Sequence, residues 1–226
     1  ETATIVSRTM ADGSAADCYK VVFQSNPIAD GPYCPATIND IGGLGIYDGA
    51  TNPGFQVMKA ALWNAMEADG YDVIDVNGNI NIIDPGAGMG GGPPAGGGSM
   101  AGCLEASPDN TLKLTYYIPI EPTMAASNDV INIVEKLGVS IDGIPLTGNP
   151  PSATQGPPGI PNGGGGIPAI DPCGGHVDPA GYYHLHFGAE EMNNVLAAYN
   201  ITEVSCSNFI QDESALIGFA KDGFPI

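Results

Sequence analysis

The sequence predicts an α+β fold, predominantly antiparallel β with one or two short helices and long Gly/Pro-rich loops. Runs rich in β-branched and aromatic residues recur at strand length, as in CYKVVFQ (18–24) and LKLTYYIPI (112–120). Helix formers at helical spacing occupy only Phe55 to Asp69 and, more briefly, Glu190 to Tyr199. The 33 glycines and 20 prolines, nearly a quarter of the 226 residues, concentrate in loops and leave folded stretches between them.

Taken in order, Thr2 to Arg8 and Cys18 to Gln24 are two strands, followed by a turn-rich segment between Asn26 and Gly54. The helix over 55–69 presents Val57, Ala60, Ala61 and Trp63 to Met66 as its apolar face, with Gly70 as its C-terminal cap. Asn77-Gly78, between Tyr71 to Val76 and Asn79 to Ile83, predicts a hairpin through a type I′ turn. The alternating Asp75, Asn77, Asn79 and Asn81 suggest a calcium loop, but Ile80 and Gly86 stand where such a loop needs Gly and Glu. Residues 84–102 form a flexible Gly/Pro loop without the strand-to-helix GxGxxG of a nucleotide site. Strands follow at Leu112 to Ile120, Ile131 to Asp142 and Ile144 to Leu146, then a second Gly/Pro loop over 147–168. A helix over Glu190 to Tyr199 packs Met192, Val195 and Leu196 against the sheet. This organisation divides the chain into an N-terminal β-rich region with one helix, 1–102, packed on a domain over 103–226.

Against 25 acidic residues stand 6 basic ones, and the net charge of −19 repels phosphate backbones and anionic headgroups. Nucleic-acid binding is excluded on that ground. The acid excess serves solubility, the binding of divalent cations such as calcium, or a surface layer neutralised by cations, three uses that composition does not separate. No segment approaches the ~20 apolar residues that span a bilayer. The chain opens with Glu1 and is read as a mature product without its signal peptide. None of the five cysteines forms a CxxC pair, so disulfides and an oxidising compartment are expected. The expected pairs are Cys18 with Cys34 and Cys173 with Cys206. Cys103 is then free and buried, exchanges places in that pairing, or links to another subunit.

All three histidines fall within Asp171 to Phe187. On a strand, His184 and His186 project from one face about 7 Å apart. His176 supplies a third nitrogen from the preceding turn, and Asp178 a carboxylate ligand or outer-shell acceptor. Three imidazoles with an open position suit zinc or copper. The competing reading is packing of the rings over a sheet, their N–H groups satisfied by backbone carbonyls.

The segment Tyr183-His184-Leu185-His186 resembles the signature of the YHYH domain, a family found mainly in secreted and surface proteins. Leu185 replaces the second tyrosine on the face opposite the histidines, which touches packing rather than ligation. GVSIDGIPL (138–146), CGGHVDPAGYYH (173–184) and SALIGFAKDGFPI (214–226) resemble family motifs in the same order. The likeness covers 111–226 well and the N-terminal half weakly. It implies extracytoplasmic location and a suspected metal site, assigns no reaction, and leaves room for further chain after Ile226. The repeated Asp142-Gly-Ile-Pro-Leu146 and Asp222-Gly-Phe-Pro-Ile226 suggest two equivalent strands set by Asp-Gly turns.

No GxSxG elbow marks a serine hydrolase, and no carboxylate pair is marked by context, so the weight falls against an enzyme. Asn200-Ile-Thr202 is a glycosylation sequon. Two functions are carried forward. The first is a secreted or cell-surface structural module, a protomer of an extracellular fibre or layer. Its edge segment, with Thr2, Thr4 and Val6, adds to a neighbour's sheet in a homo-oligomer or filament. The second is an extracytoplasmic zinc- or copper-binding protein, or a metalloenzyme, using the histidines.

Overall fold

In chain order the strands of the computed structural model are β1 (Thr4–Thr9), β2 (Ala15–Gln24), β3 (Leu44–Tyr47), β4 (Gly54–Val57), β5 (Ile82–Ile83) and β6 (Gly102–Leu104). They continue as β7 (Lys113–Pro119), β8 (Lys136–Ser140), β9 (Pro145–Thr147), β10 (Gly166–Pro168), β11 (Gly175–Val177), β12 (Tyr183–Leu185) and β13 (Gly218–Ala220). The helices are α1 (Ala60–Ala68) and α2 (Ala189–Ala198). The structure describes residues 3–10, 13–28, 31–47, 49–87, 101–124, 135–148, 166–206 and 215–226. Thr2, residues 131–134 and most of both Gly/Pro loops lie outside the described residues.

The fold is α+β and mostly antiparallel. β1, β2 and β7 form one antiparallel sheet, β3 and β4 a hairpin, and β11-β12-β9-β8-β13 a five-stranded sheet. Among the described residues, parallel pairing is confined to β5-β6-β10 and to β12 beside β9. Strand β2 pairs with β7, and a disulfide joins Cys34 to Cys103, so contacts cross between 1–102 and 103–226.

One turn recurs among the described residues, at Asp75–Gly78, Ser140–Gly143, Asp171–Gly174, Asp178–Gly181 and Ala220–Gly223. In each, the glycine N–H donates to the first residue's carbonyl, and the first residue's N–H donates to the carbonyl just beyond the glycine, at 2.7–3.1 Å. The glycine φ lies between +83° and +95°, the left-handed region that only glycine enters freely. This is the three-residue hairpin loop ending in a glycine bulge. The two repeated Asp-Gly phrases therefore form equivalent turns but not equivalent strands: the first leads into β9, whereas after the second Pro225 makes a single bridge with Phe219. The same loop also replaces the expected type I′ turn. Val76 and Asn77 occupy the centre, only Gly78 takes positive φ, and a single bridge, Ile74 with Ile80, flanks them. The Asp75 carboxylate accepts from the N–H groups of Asn77 and Asn79 and from the Asn79 side-chain amide at 2.8 Å, and the Asn81 amide donates to the Ala101 carbonyl, so Asp75, Asn79 and Asn81 are engaged within the protein.

The helix expected over 55–69 begins at Ala60. Phe55 and Val57, two apart and both buried, are alternate residues of β4, so a period of two was absorbed into a helical stripe. Its other end is as the sequence implies. Gly70 (φ +93°) donates to Glu67 and Tyr71 donates to Met66, both at 3.0 Å, which is the Schellman arrangement. Buried Leu62, Trp63, Ala65 and Met66 pack with Tyr47, Met58, Val73, Ile80, Cys103 and Ile167. Each large apolar side chain so buried contributes about 1.5–3 kcal/mol.

The pairing of Cys18 with Cys34 is corrected. Cys18 is a free thiol in the middle of β2, 1 % exposed, opposite Val6 and Pro119. The Glu105 carboxylate instead draws Cys34 to β6, accepting from the N–H of Tyr33 and, at 2.8 Å, of Cys34. Cys103, two residues before that glutamate, becomes the partner. Cys173 and Cys206 form the second disulfide.

Two polar anchors fix the β11–β12 hairpin. Asn26, just past β2, donates to the Gly181 carbonyl at 2.8 Å and accepts from the Tyr183 N–H at 2.6 Å. Asp171, 3 % exposed, accepts from the N–H groups of Cys173 and Gly175 and from the Tyr183 hydroxyl. Burial pushes its pKa up, against the pull of those hydrogen bonds.

Replacing Cys34 and Cys103 together by serine opens a loop of 69 residues. We expect a loss of about 4 kcal/mol in denaturant unfolding, from the entropy returned to the unfolded chain. Asp171→Ala strands buried donors and is expected to cost about 3 kcal/mol, whereas Asp171→Asn keeps one acceptor and is expected to cost about 1 kcal/mol. Because the folded pKa of Asp171 lies above the unfolded one, the native state holds the extra proton. Its contribution is complete below the unfolded value of 3.8 and is lost as pH rises through the folded value. Stability of the wild type should therefore fall relative to Asp171→Asn across that rise, read from unfolding curves at successive pH values.

Candidate metal centre

Two of the recurring turns bracket β11, and that is how the histidines meet. The turn at Asp171 starts β11 and the turn at Asp178 returns the chain as β12, in a register that sets His176 directly opposite His184. His186 follows two residues on, on the same face. The ring centroids lie 4.6–5.1 Å apart. The Nε2 atom of His186 is 3.1 Å from that of His176 and 3.0 Å from that of His184. One ligand nitrogen from each ring lies within 4.8 Å of the others. Around a tetrahedral zinc the nitrogens would sit about 3.3 Å apart.

The outer contacts decide where the protons are. Nδ1 of His186 points at the Gly148 carbonyl, which only accepts, and lies 3.1 Å from the Thr147 hydroxyl. That hydroxyl is itself 3.0 Å from the Leu185 carbonyl, to which it donates. Nδ1 of His186 is therefore protonated and its Nε2 carries a lone pair. The Ala169 carbonyl lies beside the His176 ring and opposes the fall in its pKa, which favours a proton on Nδ1 and a lone pair on the Nε2 turned toward His186. A neutral His184 brings one proton. On Nε2 it can bridge only to His186, leaving the buried Nδ1 unpaired; on Nδ1 it leaves three lone pairs facing one another. Nδ1 of His184 makes no hydrogen bond of normal geometry, although the Tyr182 carbonyl is close enough to oppose the fall in its pKa. Either way the cluster holds more electron pairs than protons. A cation among the three Nε2 atoms resolves the mismatch, and the residues present fit a metal.

Additional protons do not resolve it near neutral pH. Burial, and then repulsion from the neighbouring rings, pushes the pKa of His176 down to about 3; burial and His186 do the same to His184. Burial lowers that of His186 as well. His184 and His186 are 2 % and 9 % exposed. His176 is partly exposed as a residue, yet its ring is crowded enough for burial to dominate. All three are neutral, as ligation requires.

Asp178 is not brought into the group. Its Oδ1 accepts from the Ala180 N–H at 2.7 Å within its own turn, and the carboxylate acts on His176 and His186 only through its charge. Its place as first residue of an Asp-Pro-x-Gly turn accounts for it. Thr147, Gly148, Ala169 and Asn26 are the supporting residues that sequence reasoning missed. Two of them contribute only backbone carbonyls, which no side-chain pattern announces. Imidazole donors do not suit calcium, a hard cation that takes oxygen ligands.

No curated protein and no solved structure matches the chain significantly. The family model for YHYH protein matches residues 115–226, which include the whole five-stranded sheet, all three histidines and the Cys173–Cys206 disulfide. The chain carries a YHYH domain over residues 115–226.

Proposed function

We propose that this protein is an extracytoplasmic metal-binding structural module, in which zinc or copper held by Nε2 of His176, His184 and His186 braces the five-stranded sheet. The observation that carries the reading is the surplus of lone pairs over protons where the three rings meet. A bound ion would tie β11 to the end of β12, and through the Gly148 carbonyl to the end of β9. Burial of His184 and His186 supports a bracing role over turnover. Among the described residues the hollow beside His176 is about 20 Å³, room for about one water and no substrate. Two disulfides, with no helix of the described residues long and apolar enough to cross a membrane, are compatible with a secreted or surface location.

A second reading, compatible with the first, is assembly into a fibre or surface layer through β1. Supporting it, β1 is an edge strand whose outer side has no partner among the described residues, and Ile5 is 63 % exposed there. Thr4 and Val6 lie on that strand but pair through its inner side with Lys20 and Cys18 of the same chain. The β propensity of the segment is thus already used within the protomer.

Zinc titrated into the full chain at pH 7.5 should saturate at one ion per chain in calorimetry. His184→Ala or His186→Ala should abolish that binding, and Asp178→Asn should leave it within a few-fold. Absence of saturable zinc or copper binding removes the reading. Thr147→Val, which takes away one of the two contacts at Nδ1 of His186, should weaken affinity about 10–100-fold. With free metal at about 1,000 times Kd, chelation should cost about 4 kcal/mol of stability, seen as a fall in Tm. For the second reading, electron microscopy after deletion of residues 1–10 should show loss of filaments, and undiminished assembly would refute a part for β1.

A further inference from the structure

We propose that the ion this site selects is monovalent copper; the proposal rests on the metal-binding reading above and narrows it to one ion. The first ground is charge. The three donors are neutral imidazole nitrogens, and among the described residues no carboxylate or thiolate belongs to the group. Asp178 is committed to its turn, and the Glu105 carboxylate, on the wall of the hollow beside His176, is committed to the N–H groups of Tyr33 and Cys34. The cost of moving an ion out of water rises with the square of its charge. A dication entering this pocket therefore meets about four times the penalty of a monocation, with no anionic ligand to offset it.

The second ground is coordination number. Structural zinc sites are closed by four protein ligands, and divalent copper favours tetragonal sets of nitrogen and oxygen. This cluster offers three. A filled-shell cuprous ion accepts three nitrogens without a fourth ligand. The hollow at His176, lined by Tyr33, Leu104, Glu105, Ala106, Ala169 and Val177, holds about 20 Å³, and its one carboxylate is already committed to the N–H groups of Tyr33 and Cys34, so it supplies no fourth protein ligand for zinc.

The test uses the full oxidised chain freed of metal, handled without oxygen at pH 7.5. Cuprous ion is supplied as its acetonitrile complex against a chromophoric cuprous chelator, and zinc is measured on the same preparation. We expect one cuprous ion per chain, silent in electron paramagnetic resonance, with X-ray absorption from three nitrogen neighbours. One equivalent should release zinc stoichiometrically from the zinc-loaded protein. His176→Gln, at the partly exposed ring, should keep the native circular dichroism and lower cuprous affinity about 100-fold. Zinc that holds its place against one equivalent of cuprous ion overturns the proposal and leaves the metal-binding reading standing. Copper that oxidises in place to a paramagnetic form does the same. If neither metal binds, both fall.

Discussion

The contact on which the rest depends is the convergence of three imidazole Nε2 atoms with too few protons among them. An isolated buried histidine settles its two nitrogens with one donor and one acceptor. Here the Gly148 carbonyl claims the proton of His186, the Ala169 carbonyl beside His176 favours the same for that ring, and the ring edges left facing each other at 3.0 and 3.1 Å are electron-rich. Such a pocket is stable when filled by a cation. Its surroundings follow from that need. The register of β11 on β12 must place His176 opposite His184, because a slip by one residue would send the ring to the other face of the sheet.

Register in so short a hairpin cannot come from strand length, since β11 and β12 have three residues each. It comes from the turns. Asp171 and Asp178 each open a turn closed by a left-handed glycine, and each uses its carboxylate to hold N–H groups within that turn. Asp171 then reaches across to the Tyr183 hydroxyl, while Asn26 clamps the N–H of the same tyrosine from the other sheet. Gly175 is a glycine for a related reason. A Cβ there would come within 2.3 Å of the Tyr183 hydroxyl. The first tyrosine of the signature is thus part of the frame that aims the histidines.

Much of this was legible in the sequence. The two-residue spacing of His184 and His186 requires a shared face on a strand, and the clustering of every histidine within Asp171 to Phe187 brings the third. The C-terminal cap at Gly70 follows from glycine after a run of helix formers. What escaped was of two kinds. Local ambiguity misled where Phe55 and Val57 fit either period, and where Asn77-Gly78 signals one turn while Asp75-Val-Asn-Gly78 builds another. Asp178, read as a ligand, belongs to that same turn chemistry, and the Pro after it, favoured at the second turn position, was the available sign. Tertiary choice decided the remainder. Nothing near Cys34 in sequence foretells that Glu105 will fold it onto β6, and Gly148 and Ala169 act through carbonyls that every residue possesses.

The central claim is that the three Nε2 atoms face a common point and carry more lone pairs than protons between them. The most direct test is the nitrogen-15 spectrum of the histidine rings, recorded on the metal-free chain and after one equivalent of cuprous ion or zinc. The account predicts that all three Nδ1 atoms are protonated in the loaded protein. It also predicts that all three Nε2 resonances move together and stop moving at one ion per chain. A His184 that keeps its proton on Nε2, hydrogen-bonded to His186 in the presence of metal, would contradict it.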